Sequence, residues 1–343
     1  MCKYFLIALV AGSVSIRSLH AQCLGGCCSS ANTSGLSQQA NIPERGKWII
    51  GTNLLTMQYQ PLSDEELLSY ATQDASVYSV RSQGSLKGTL SYGLSRKIVL
   101  TAMLPYNYST DNKEGHYHEE KQSAEIHSYG SIHGLGDGVL AFSYRLIENQ
   151  ESGWKAFAGA GIKVPTGTTS AYSTYAVVLP VHLQPGTGSW DPGFSASVQK
   201  AYNRLMFQTE ARVRIATTAK DHNMGTYANA GILAGYDLIA KPNNKFMPAL
   251  NCSGGLAVDY NAPMKIATGS EHLHGSDTMA TGTMVIDPNT GFTRLLINFM
   301  ATAFITERLF IPLSFSIPMA QQLQGYQSSS KFTASIGVSF IIN

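Results

Sequence analysis

From Leu205 to Ile215 the chain alternates between two kinds of residue. Leu205, Phe207, Thr209, Ala211, Val213 and Ile215 form one face of an extended chain, and Met206, Gln208, Glu210, Arg212 and Arg214 form the other. The C-terminal stretch repeats the pattern, with Phe332, Ala334, Ile336, Val338, Phe340 and Ile342 on one face. A period of two predicts about 12 strands, near 47–59, 82–94, 97–108, 135–147, 153–164, 189–201, 204–216, 225–239, 245–260, 291–306, 308–318 and 331–342. Each is near the length of about 9–11 residues that crosses a bilayer obliquely. The strand at 47–59 is the least regular, since both of its faces carry apolar residues.

The connections narrow the choice further. Short breaks at "LSRK", "ENQESG", "YNRL", "AKPNNK" and "TERL" alternate with longer loops near 60–81, 109–134, 165–188, 217–224, 261–290 and 319–330. Short turns at one end and long loops at the other are the plan of an outer-membrane barrel. An even strand count puts both ends of the wall on the periplasmic side. A soluble all-β protein would have to account separately for the loop order and for the outward Phe and Ile residues of the last strand.

Charge follows from the same picture. Charged residues make up 13% of the chain, about half the usual share of roughly 25%. A barrel wall tolerates charge only on its wet inner face. That rule assigns Lys87, Arg145, Lys155, Lys163, Glu210, Arg212, Arg214, Asp259 and Arg294 to the lumen. These residues carry a basic excess, which would favour anions in an open pore; bracing of the wall by ion pairs is the competing reading. Tyr59, Tyr92, Tyr106, Tyr108, Trp154, Trp190 and Tyr260 lie near strand ends, where interfacial aromatic girdles form. The net charge of +2 and the lack of basic runs give no sign of a nucleic-acid partner.

The N-terminus reads as an export signal. Lys3 precedes the apolar run "YFLIALVAG", and "LHA" ends at Ala21 with small-residue spacing. The expected organisation is a signal peptide over 1–21, a Cys-containing periplasmic extension or plug over 22–46, and a single barrel over 47–343.

Four motifs, "GLGDGVLAFSYRL", "GAGIKVPTG", "LQPGTGSWDPG" and "LFIPLSFSIPMAQQLQG", resemble in kind and order a large family of Gram-negative outer-membrane barrels. The family is transporter-like and named after a phenol-degradation (MetA-pathway) protein. The resemblance extends from about residue 47 to the end, with a Bacteroidetes-like N-terminal segment. It is more distantly similar to fatty-acid and aromatic-hydrocarbon channels. It implies an all-β, up-and-down transmembrane barrel in the outer membrane that passes a small solute, hydrophobic or anionic.

Two sets of side chains suggest chemistry. "QCLGGCCSS" places Cys23, Cys27 and Cys28 after the cleavage site, where thiolates suit a soft ion such as copper and an oxidising compartment suits a disulfide. "GHYHEE" holds His116 and His118, with His127 and His133 further on, and "EHLHGSD" holds His272 and His274. A His-x-His pair on an extended chain points both rings the same way and suits a divalent ion, although exposed loops are often polar for solubility alone. A divalent or copper ion is the one cofactor these clusters suggest. No G-x-S-x-G elbow is present, and every His is expected in a loop, so no enzyme is expected. The expected partners are outer-membrane lipid and a small solute. The competing function is a non-conducting barrel that binds metal or a partner through its outer loops and Cys cluster.

Overall fold

The computed structural model describes residues 43–72, 76–118, 121–149, 151–173, 176, 178–219, 221–239, 249–267 and 282–343. Cys23, Cys27, Cys28, His272, His274, the expected signal peptide and nearly all of the expected 22–46 extension lie outside the described residues.

The strands are β1 (Trp48–Gln60), β2 (Ser76–Ser79), β3 (Ser82–Gly93), β4 (Ile98–His118), β5 (Ser123–Leu135), β6 (Gly138–Asn149), β7 (Trp154–Val164), β8 (Asp191–Tyr202) and β9 (Leu205–Arg214). There follow β10 (His222–Asn223), β11 (Tyr227–Ile239), β12 (Ala249–Asn261), β13 (Lys265–Ala267), β14 (Met284–Ile286), β15 (Phe292–Phe304), β16 (Leu309–Leu323) and β17 (Ser329–Ile342). One helix, α1 (Asp64–Ala71), lies between β1 and β2.

Twelve strands close on themselves as an antiparallel transmembrane barrel. The order around the wall is β1, β3, β4, β6, β7, β8, β9, β11, β12, β15, β16 and β17, and β17 pairs back to β1 from Trp48↔Ile342 onward. Closure leaves no strand edge facing lipid, so the wall's backbone groups are paired within the sheet.

The alternating pattern sorts residues between the two surfaces. Ile232, Leu140, Phe207, Phe299 and Phe194 all stand outward, each more than half exposed, an apolar surface suited to lipid. Trp48, Tyr92, Trp154, Tyr202 and Tyr236 lie near the short-turn end, with Trp48 and Tyr92 at 4.4 Å between ring centroids. Tyr106, Trp190 and Tyr260 face outward at the opposite end. Tyr59 does not join them, because its position in β1 is inward and it is buried in an apolar cluster. The same cluster explains why β1 is apolar on both faces. Ile50 and Leu54 face lipid, while Leu55, Met57 and Tyr59 face packed protein inside the barrel.

Several expected loops contain regular structure. The 60–81 segment holds α1, whose start is a capping box: Ser63 Oγ accepts from Glu66 N, and Glu66 Oε2 accepts from Ser63 N. The expected 109–134 loop is instead an extension of the wall, because β4 runs on to His118, β5 returns beside it and β2 pairs along the other edge of β4. The register slips around Asn112, where Asp111 takes a φ of 55°, and a slip of that kind bends a ribbon out of its sheet. In 261–290, β13 pairs with β14 and with β10 as a small separate sheet.

The wall makes a direct prediction. Ile232→Lys, on the lipid face in the middle of β11, is expected to lower unfolding stability in vesicles by about 2–4 kcal/mol. Gln199→Lys, on the wet face, is expected to change it by less than about 0.5 kcal/mol. Denaturant titration of the barrel refolded into lipid measures both.

Candidate permeation path through the lumen

The residues assigned to the lumen lie in its phase of the sheet. Ladder registers carry one inward row from Arg212 through Asn229, Asp259 and Arg294 to Gln321. Another runs from Lys163 to Asp191. Lys87 is buried opposite Asn53. Arg145 and Lys155 lie toward the short-turn end, where Glu148 pairs with both.

In the band formed by Lys163, Arg212, Arg214 and Arg294 the basic excess disappears once the carboxylates are added. Lys163 Nζ lies 2.8 Å from Asp137 and 3.1 Å from Asp191, with all three side chains at most 3% exposed. Arg214 also reaches Asp191, at 3.7 Å. Arg212 pairs with Glu210, and Arg294 with Asp259 at 3.3 Å. Asp259 further accepts from Asn229 at 2.6 Å and from Tyr227 at 3.1 Å. Charge and phase do not assign Asp137 and Asp191, because both lie at strand starts, outside clear alternation. The pairing of these charges favours the bracing reading for this band.

The Lys163 cluster fixes the segment between β7 and β8. Its ammonium also donates to Thr187 Oγ1 and to Ser189 Oγ. Asp137 Oδ2 accepts from Thr187 N at 2.9 Å, and its Oδ1 accepts from Gly167 N at 3.1 Å. The three glycine-rich motifs thus meet at one point: "GLGDG" supplies Asp137, "KVPTG" supplies Lys163 and Gly167, and "PGTGS" supplies Gly186, Thr187 and Ser189. Gly167 and Gly186 have no room for a side chain. A Cβ on Gly167 would meet the Gly186 Cα at 2.6 Å and Asp137 Oδ1 at 2.8 Å.

From this anchor the 165–190 segment folds into the barrel. Leu179 and Leu183 pack in a buried cluster with Leu55, Met57 and Tyr59 of β1, Val80, and Tyr129 and Ile132 of β5. Val181, in the same 3-10 turn as Leu183, touches Met224 and Met264 on the other side. Asn107 Nδ2 donates to Pro185 O at 2.8 Å, and Gln184 bridges Ala171 and Leu179. The segment thus reaches from the β1 and β5 side to Met224 and Met264 on the other and caps the lumen.

Below this cap a cavity of about 370 Å³ opens toward the short-turn end. Met206, Leu233, Met300 and Phe304 give it apolar surface, while Lys155, Gln199, Gln208, Asn251 and Thr302 give it polar groups. A second cavity, about 220 Å³, lies between Met103, Val139, Lys163, Arg212 and Arg214. Its lining extends to Phe194 and Ile162 of the outer face, where Gly161 and Gly193 oppose each other in the wall.

The histidines are not all in loops. His116 and His118 lie in β4, His127 and His133 in β5, and His222 in β10. His222 has the look of half a catalytic pair, with Nδ1 3.1 Å from Asp221. Its Nε2 is held by the Thr187 carbonyl at 2.9 Å. A general base needs that nitrogen free to reach a hydroxyl, so His222 serves here to steady the loop.

No family model and no curated protein matches the chain. Solved structures do. An outer membrane channel from Pseudomonas putida F1 superposes with a TM-score of 0.56 at 13% identity, over 88% of this chain and 97% of that one. A TodX monoaromatic hydrocarbon channel mutant gives 0.46 at 12% identity, over 90% and 93%. The CymD monoaromatic hydrocarbon channel gives 0.36 at 9% identity, over 94% of each chain. Only the first superposes closely enough to speak for the fold, and it speaks for an outer-membrane type of barrel.

Lys163→Met should strand Asp137 and Asp191 without their shared cation, at a cost of about 3–5 kcal/mol to the anchored state. The expected result is faster proteinase K cleavage between 170 and 186, with the barrel still resisting heat on a gel. Asp137→Asn in the Lys163→Met background should recover part of the protection, since it removes one of the buried charges.

Proposed function

We propose that this barrel is an outer-membrane channel for a small, largely apolar solute, with the 165–190 segment as its internal gate. The observation that carries the reading is how that segment is seated. One end is fixed by the Lys163 cluster, and the middle rests on an apolar luminal surface made by Leu55, Met57, Tyr59, Tyr129 and Ile132. Such a surface is unusual in a water-filled pore, whose inner wall is normally polar. It offers an apolar solute contacts like those now made by Leu179 and Leu183.

The chamber below continues the argument. Its volume falls within the range of small-molecule sites, roughly 300–1,000 Å³, and its mixed lining matches the usual pattern of apolar walls with a few polar groups. The band of lumen charges is internally paired and presents no spare cation ring to draw anions. The resemblance to aromatic-hydrocarbon channels agrees with a transport role, and so does the Pseudomonas putida neighbour, itself an outer membrane channel. Export to the outer membrane rests on the signal-like N-terminus together with the barrel.

Liposomes loaded with an aromatic-sensing dye test the reading. The refolded barrel is expected to speed entry of a small aromatic such as benzyl alcohol more than entry of a sugar or a carboxylate of the same size. Removal of 172–183 is expected to raise all three rates and narrow the difference. Equal rates for the three solutes through the intact barrel would contradict the apolar preference. No uptake by either form would favour a non-conducting, binding role.

A further inference from the structure

The β4–β5 extension stands beyond the wall, and its two faces have different uses. Register pairs His116 with Glu125, His118 with Ser123 and Glu114 with His127. His116, His118, Glu125 and His127 therefore share one face. The opposite face is taken by α1: a Cβ on Gly115 would meet Leu67 O at 2.6 Å, and Ile126 packs with Leu62, Leu67 and Val77. The histidine face is left half-exposed at the outer end of the molecule.

On that face the side chains converge. One ligand atom each from His118, Glu125 and His127 lies within 4.8 Å of the others. The His116 ring lies 4.9 Å from that of His118 and 6.3 Å from that of His127. His118 Nε2 is buried, makes no hydrogen bond, and faces Glu125 Oε2 at 3.5 Å. Three imidazoles around one carboxylate are not needed to hold a hairpin together, since the backbone ladder already does so.

We infer that this face is a binding site for one divalent transition-metal ion of the zinc–copper class. His118, Glu125 and His127 supply three ligands, and His116 supplies the fourth. Imidazole nitrogens select zinc, copper or nickel over calcium and magnesium, which prefer all-oxygen sets. A tetrahedral zinc site places its ligands about 2.0–2.2 Å from the ion. That distance requires the three groups to draw in by side-chain rotation, which the half-exposed face permits. Glu125 now shares its other oxygen with Lys121 at 3.0 Å, a surface contact that a metal displaces at little cost. The ion would tie β4 to β5 across the hairpin that carries Tyr129 and Ile132 into the luminal cluster. This site uses one loop region alone and needs neither His272 nor His274.

The test is titration of the tag-free, refolded full chain with zinc chloride, followed calorimetrically. Cys23, Cys27 and Cys28 are changed to Ser, and His272 and His274 to Ala, so that other candidate ligands are absent. The expected result is one zinc bound per chain and no binding of calcium. His118→Ala and His127→Ala should each weaken zinc by more than about 100-fold, beyond the range typical for a group that only orients a ligand. His116→Ala should weaken it less, and His133→Ala, outside the cluster, should leave it unchanged. Unchanged heat-dependent gel mobility establishes that each variant is folded. Absence of zinc binding by a folded barrel, or binding that survives loss of both His118 and His127, would overturn the assignment.

Discussion

A buried ammonium group between two carboxylates decides how this barrel is filled. Lys163 could not remain charged in the wall without Asp137 and Asp191, and they could not remain charged without it. Such a cluster adds little net stability compared with apolar packing, but it is costly to take apart. It also has direction. Asp137 comes from the start of β6 and Lys163 from the end of β7, while Thr187 and Ser189 come from the segment before β8. Satisfying them together allows one path for the chain between the two strands, and that path leads inward.

The inward path has two consequences. It gives the interior an apolar patch, which explains inward Leu55, Met57 and Tyr59 on β1. It also divides the lumen into a capped outer part and an open inner chamber. Gating by this segment would then need movement at the apolar contact rather than at the ionic anchor, because the contact near Leu183 is non-directional and can be replaced by a solute of similar character. The anchor keeps the segment from leaving while that happens.

Much of the wall was legible in the sequence because a period of two on a chain with little charge admits few structures. The expected strands match β1, β3, β4, β6, β7, β8, β9, β11, β12, β15, β16 and β17 to within a few residues, apart from the outward extensions of β4 and β16. The inner placement of Glu210, Arg212 and Arg294 was legible for the same reason, since charge and phase agree there. What was not legible lies where the period ends. Asp137 and Asp191 sit next to glycine and proline, so alternation could not assign them, and without them the lumen read as basic. The S-x-x-E signature at Ser63–Glu66 could have signalled α1 within the expected 60–81 loop. Its apolar run was too short to stand out beside the strands. The β4–β5 extension was hidden by its polar content: both of its faces are mixed, since one meets α1 and the other carries the histidines.

The most direct measurement of the central claim is amide hydrogen exchange on the barrel held in lipid, read at Gly167, Gly186, Thr187 and Ser189. A segment fixed in the lumen by the Lys163 cluster predicts protection at these four amides approaching that of the neighbouring β7 and β8 wall. Exchange at the rate of an exposed loop, with β7 and β8 still protected, would contradict the account, because the segment would then not be anchored and could not define the path.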